Sequence, residues 1–183
     1  MNPAERSHVA QIEAARSTGR PRGRPFLIAL PAVSENKKDP MEVEEAVDAL
    51  NAALRLQWRS ALAYTYMAGT LVGFEYHGLA GEMRSFALAE LDDARHVVEK
   101  ITTLGGDPTV EIAPMESHGD SEALVRWLID AETETIEALQ DVIPTTGQEG
   151  RSEALEHRLE HIIMRKQEQV DALIRASGGP SRG

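Results

Sequence analysis

The sequence predicts an all-α protein: a four-helix bundle of two antiparallel helical hairpins joined by one long crossover, with an N-terminal arm. Three observations carry that prediction. Four segments place apolar residues at three- and four-residue intervals. Ala, Leu and Glu fill those segments while most of the 14 Gly and 9 Pro fall outside them, which favours helix over strand. The first and second segments, and the third and fourth, are joined by short turns, whereas the second and third are separated by the 15 residues GGDPTVEIAPMESHG. Fifteen extended residues reach about 50 Å, more than the roughly 38 Å of a 25-residue helix, so this connection can return along the whole bundle. Aromatic residues make up only 4% of the chain, so the core is expected to be aliphatic.

Residues 1–39 read as an arm. Asn2-Pro3 opens a short amphipathic helix to about Arg16, and STGRPRGRP then breaks regular structure. Phe26, Leu27, Ile28 and Leu30 form an isolated apolar patch between Pro25 and Pro31, expected to dock on the bundle or on a protein partner. The basic RPRGRP stretch is also compatible with touching nucleic acid, although no aromatic residue or folded platform accompanies it.

The bundle is expected over residues 40–177. Its first helix starts with an Asp39 cap and Pro40 at the first helical position, and its inward stripe of Leu50, Leu54, Ala61, Tyr64, Ala68 and Leu71 extends to about His77. The second runs from about Leu79 to Leu104 with Met83, Phe86, Val97 and Ile101 inward, and Gly105-Gly106 stop it. The third begins near Asp120 or Ser121, presents Leu124, Leu128, Ala131, Thr135, Leu139 and Val142, and ends at Pro144. The fourth begins near Ser152 with Leu155, Leu159, Ile162 and Leu173 inward, and residues 178–183 read as a disordered tail.

Composition bounds the function. No cysteine is present, which removes disulfides, thiolate metal sites and thiol nucleophiles. No run of about 18 apolar residues is long enough to span a bilayer, and no apolar signal core stands at the N-terminus, so a cytoplasmic protein that does not enter membranes is expected. Residues 1–40 carry seven Lys or Arg against four Asp or Glu, leaving 12 and 26 for the remainder. A body that acidic repels nucleic acid and anionic membrane. No phosphate loop, nucleophile elbow, His-Glu-x-x-His helix or dinucleotide fingerprint is present.

The informative residues are polar ones that interrupt the apolar stripes at mid-helix, because burying a charge costs several kcal/mol unless a metal or counter-charge compensates. They are Gln57 in the first helix, Glu90 and Asp93 in the second, Glu132 in the third, and Lys166 and Gln169 in the fourth. Bundling would bring all six to one level.

At these positions the chain resembles the bacterioferritin branch of the ferritin-like superfamily. LNAALRLQW, ELDDARHVVEKITTLGGDP and DAETETIEALQDVI look like the corresponding family segments, over about Glu42 to Ala176. The resemblance implies a ferritin-like bundle with a di-iron site built from one Glu on each of two helices and a Glu-x-x-His pair on each of the other two. Carried over, the lone glutamates fall on Gln57 and Glu132, one pair on Glu90 and Asp93, and the other on Lys166 and Gln169. Two of the six match. The resemblance thus implies a degenerate site in which Lys166 replaces metal within a Lys-carboxylate-amide network, and no cofactor is expected. The alternative keeps iron or manganese on Glu90, Asp93 and Glu132, as a ferroxidase-type or oxygen-activating site. The family's haem methionine is replaced by Leu91, which argues against haem, and Met83 and Met164 read as packing residues.

His157 and His161, an i, i+4 pair, are a possible surface metal site or simply an exposed polar face. His96 becomes a ligand only if the second helix is rotated. The two function classes left open are an assembly or partner-binding protein, towards which the sequence leans, and an iron-handling enzyme. A homo-oligomer, at least a dimer, is expected because the superfamily commonly assembles.

Overall fold

The computed structural model describes residues 40–178 apart from His118 and Glu149. Four helices account for most of them: α1, Val43–Thr70; α2, His77–Thr103; α3, Ser121–Val142; and α4, Gly150–Ala176. Short 3-10 turns at Phe74–Tyr76 and Ile143–Thr145 sit in the two hairpin connections. None of the described helices is long and apolar enough to cross a membrane. The expected arm, with Phe26, Leu27, Ile28, Leu30 and the basic RPRGRP stretch, lies outside the described residues, as does the tail beyond Gly178.

Neighbouring helices run antiparallel. Val72, just past the end of α1, exchanges two hydrogen bonds with Ser121 at the start of α3, its N–H donating to Oγ (3.2 Å) and its carbonyl accepting from Oγ–H (3.0 Å). Lys100, in the last turn of α2, donates to the carbonyl of Arg151 in the first turn of α4 at 3.4 Å. The crossover returns along α1, as its length allows. Asn51 pins it twice, accepting from the Thr109 N–H at 2.8 Å and donating to the Asp107 carbonyl at 3.1 Å. The Trp58 indole donates to the Thr109 carbonyl (3.2 Å), the Ala113 N–H donates to the Arg55 carbonyl (3.1 Å), and Arg55 pairs with Glu111 (3.2 Å). Residues 51, 55 and 58 share one face of α1 at i, i+4 and i+7 spacing.

Most helix ends follow the sequence. Asp120 caps α3 by accepting from the Ala123 N–H at 2.7 Å. At the end of α2, Gly105 adopts φ +88°, its N–H donating to Thr102 and the Gly106 N–H to Ile101, a Schellman closure. Gly106 is required for a second reason: a Cβ there would stand 2.5 Å from Val47 Cγ1 of α1.

Two ends differ. α1 starts at Val43 rather than at Asp39-Pro40, because the Glu42 N–H donates across the bundle end to the Thr145 carbonyl and Glu42 caps no helix N–H through its side chain. It also stops at Thr70, not near His77. Gly73 takes φ +119°, a conformation that turns the chain and that other residues rarely adopt. Met67, not Ala68 or Leu71, is therefore the last buried residue of that helix.

The aliphatic core is split in two. Leu50, Leu54, Val97, Ile101, Leu139, Val142, Leu155, Leu159 and Ile162 fill one end. Tyr64, Met67, Leu79, Met83, Leu124, Leu128 and Leu173 fill the other. Met83 is a packing residue, whereas Met164 is 56% exposed on α4 and fills no core position.

Candidate functional site

Between the two apolar halves lies a layer of buried polar side chains contributed by all four helices. Each helix reaches this level at mid-length, and its inward stripe presents a polar residue there: Gln57 and Ser60 from α1, Glu90 and Asp93 from α2, Glu132 and Thr135 from α3, and Lys166 and Gln169 from α4. Lys166, Glu90 and Glu132 have no exposed surface at all.

The ammonium of Lys166 is the hub. It donates to Glu90 Oε2 at 2.5 Å, to Glu132 Oε2 at 2.7 Å and to Ser60 Oγ at 3.3 Å, so that all three of its N–H groups are directed at acceptors. Ser60 donates onward to the Leu56 carbonyl at 3.2 Å. Gln57 Nε2 donates to the same Glu90 Oε2 at 2.5 Å and to the Glu90 carbonyl at 3.1 Å. Asp93 stands at the edge of the layer, where Arg165 Nη1 lies 3.2 Å from its Oδ1. This is an ion pair without hydrogen-bond alignment, since neither oxygen of Asp93 has a hydrogen-bond partner.

Burial sets the titration of these groups. Desolvation pushes the Glu90 carboxyl up to about 7, against the pull of Lys166 and with help from the charges of Glu132 and Asp93. Desolvation also raises Asp93, more than Arg165 and Lys166 lower it. For Lys166 burial pulls downward, but the attraction of Glu132 and Glu90 prevails and its pKa is raised, so it remains an ammonium ion. Tyr64, whose buried hydroxyl has no hydrogen-bond partner, is held neutral by desolvation and by the charges of Glu132 and Glu90.

All six residues singled out from sequence are buried: Gln57, Glu90, Glu132 and Lys166 are joined by hydrogen bonds and Asp93 feels the charges of Arg165 and Lys166, while Gln169 is buried one turn from Lys166 with its amide atoms free of hydrogen bonds. The sequence reading missed three participants. Ser60 follows Gln57 at i+3 and could have been found by that spacing. Arg165 precedes Lys166 and looks like an ordinary surface residue. Arg59 is 6% exposed, donating to Glu134 at 2.7 Å and to the Ala131 carbonyl at 2.8 Å, which ties α1 to α3.

The histidines stand apart from this layer. His157 faces Glu160 (3.0 Å) on the exposed side of α4, its ring 6.1 Å from that of His161. His96 turns to Asp92 and Glu99 on α2, at 3.4 and 3.5 Å, so the rotated register of the second helix does not occur. Leu91, at the position where the resemblance implies a haem methionine, is 47% exposed. Among the described residues no group of three or more His, Cys, Asp or Glu side chains is arranged to hold a metal ion.

Four antiparallel helices, one long crossover and a polar layer at mid-bundle define a ferritin-like four-helix bundle. A family model described as Ferritin-like domain matches residues 47–175, and the chain belongs to the ferritin family. Solved structures agree in fold. A ferritin-like diiron-carboxylate protein of Bacillus anthracis str. Ames is 25% identical, with 73% of this chain and 95% of that one covered and a TM-score of 0.68. A dodecameric thioferritin, the bacterioferritin-related protein of Bacteroides fragilis, is 21% identical over 74% and 86% with a TM-score of 0.67. The bacterioferritin of Desulfovibrio desulfuricans, described with a diiron site, is 23% identical over 74% and 80% with a TM-score of 0.66. Comparison with curated protein sequences finds no match.

Proposed function

We propose that this ferritin-like bundle stands without a metal at its centre, Lys166 taking the place of the cation, and that it works through assembly and partner binding rather than catalysis. The observation that carries this reading is the Lys166 ammonium directed at Glu90 and Glu132 together, at 2.5 and 2.7 Å. A di-iron centre carries four or more positive charges and calls for about four anionic ligands. The residues here do not fit it: three carboxylates remain, amides stand at Gln57 and Gln169, and a fixed positive charge occupies a ligand position. Lysine is a compact point charge whose three donors can satisfy carboxylates much as a small cation would.

Assembly is supported by apolar side chains left on the first hairpin. Leu62 and Tyr66 on α1 and Leu88 and Leu91 on α2 are 42–64% exposed, each pair sharing one face of its helix. In water such side chains favour a covering surface, and a second copy of this chain supplies one, giving at least a dimer.

A second reading, iron or manganese on Glu90, Asp93 and Glu132, is favoured by one observation. Glu90 Oε1, Glu132 Oε1 and both Asp93 oxygens lack hydrogen-bond partners. Oxygen consumption on adding ferrous iron separates the two: rates equal to buffer support the metal-free centre, and protein-dependent uptake abolished by Glu90→Ala supports the second reading.

A further inference from the structure

The acidic surface carries a local exception in the groove between α2 and α4. In a chain of net charge −11, six of the eleven Lys and Arg residues of the described bundle have a carboxylate partner: Arg55 with Glu111, Arg59 with Glu134, Arg95 with Asp92 and Glu99, Arg126 with Glu122, Arg165 with Asp93 and Lys166 with Glu90 and Glu132. Lys100, Arg151 and Arg158 do not, although they converge where the end of α2 meets the start of α4. None of the three has an Asp or Glu three or four residues away on its own helix.

Their placement forms a cleft. Lys100 and Arg158 line a hollow of about 240 Å³ together with His96, Glu99, Thr103, Ala154 and Leu155. Lys100 Nζ is drawn to the Arg151 carbonyl at 3.4 Å, which brings the Arg151 backbone to its rim and leaves two of its donors uncommitted. The one carboxylate in the lining, Glu99, is engaged by Arg95 at 2.5 Å and faces His96 Nδ1 at 3.5 Å.

We infer that this cleft binds a phosphate-class oxyanion, with Lys100 supplying a point charge and Arg158 a planar pair of donors. Arginine and lysine together match the charge and geometry of a tetrahedral dianion. Burial and the nearby Arg151 charge both lower the Lys100 pKa, an unfavourable like-charge arrangement that an anion relieves. The anion is either free phosphate or the phosphate of a monoester.

Calorimetric titration of the full chain with inorganic phosphate and with glycerol 2-phosphate, at constant ionic strength balanced with chloride, tests this. The expected result is saturable binding of inorganic phosphate that weakens roughly tenfold or more in both Lys100→Met and Arg158→Gln, while Arg84→Gln leaves it unchanged. Binding of both compounds assigns the site to phosphate esters, and binding of inorganic phosphate alone assigns it to the free anion. Absence of saturable binding of either, or equal affinity in the two variants, overturns the inference. The variants alter surface side chains, and thermal melts verify that they fold.

Discussion

Lys166 on α4 and Glu90 on α2 meet at 2.5 Å with neither side chain exposed, 76 residues apart in sequence. Burying each ion costs several kcal/mol, and their attraction repays it only while both partners are in place. The pair therefore tells more about how the centre is organised than about how much it stabilises the fold.

Removing one partner should expose that dependence. Lys166→Met leaves Glu90 and Glu132 as buried carboxylates without a counter-charge and is expected to destabilise the bundle by about 3–5 kcal/mol in metal-free buffer. Urea unfolding measures it. A change under about 0.5 kcal/mol would mean that the ammonium does not neutralise the glutamates.

The pH dependence follows from Glu90, whose carboxyl is raised from 4.5 to about 7. The folded state then binds a proton that the unfolded state has released, so this group's contribution is fully present below pH about 4.5 and is lost as pH rises through about 7. Glu90→Gln cannot titrate. Its stability relative to the wild type is expected to rise between those two pH values, by up to a few kcal/mol. Denaturant melts across that range check it, and a difference that stays flat with pH contradicts the assignment.

The crossover hangs on Asn51. Asn51→Ala removes both hydrogen bonds to Asp107 and Thr109 and is expected to cost about 1–2 kcal/mol. Amide hydrogen exchange should rise at Thr109 and along residues 107–113 while the centre of α1 stays protected. Uniform loss of protection would show that Asn51 supports the bundle as a whole.

Gly106 tests the packing of that corner against α1. Gly106→Ala puts a methyl group 2.5 Å from Val47 Cγ1, and the short valine side chain cannot swing clear. A loss of about 1–3 kcal/mol in thermal unfolding is expected. An unchanged melting temperature would show that α1 yields at Val47.

Legibility in the sequence tracked how local the determining force was. Helix α3 was the most legible: Asp120 caps it, and all six residues assigned inward, from Leu124 to Val142, are buried, together with Val125 and Ile136, which the stripe did not include. The central layer was legible for a related reason, since a charged residue at an inward register position has few explanations other than a buried partner. The end of α1 was not legible, because Leu71 continues the apolar period while the turn at Gly73 depends on a backbone angle that periodicity does not report. Asn51, Arg55 and Trp58 look like surface residues until the crossover path is known. Arg165 likewise owes its role to Asp93 on another helix, not to its own neighbours.

The central claim, that Lys166 stands where a metal would, is tested most directly by the metal content of the wild-type protein purified from iron- and manganese-supplemented cultures. The account predicts well under about 0.1 iron or manganese per chain, unchanged by Glu90→Ala. About one or more tightly held metal ions per chain, lost on Glu90→Ala, would contradict it.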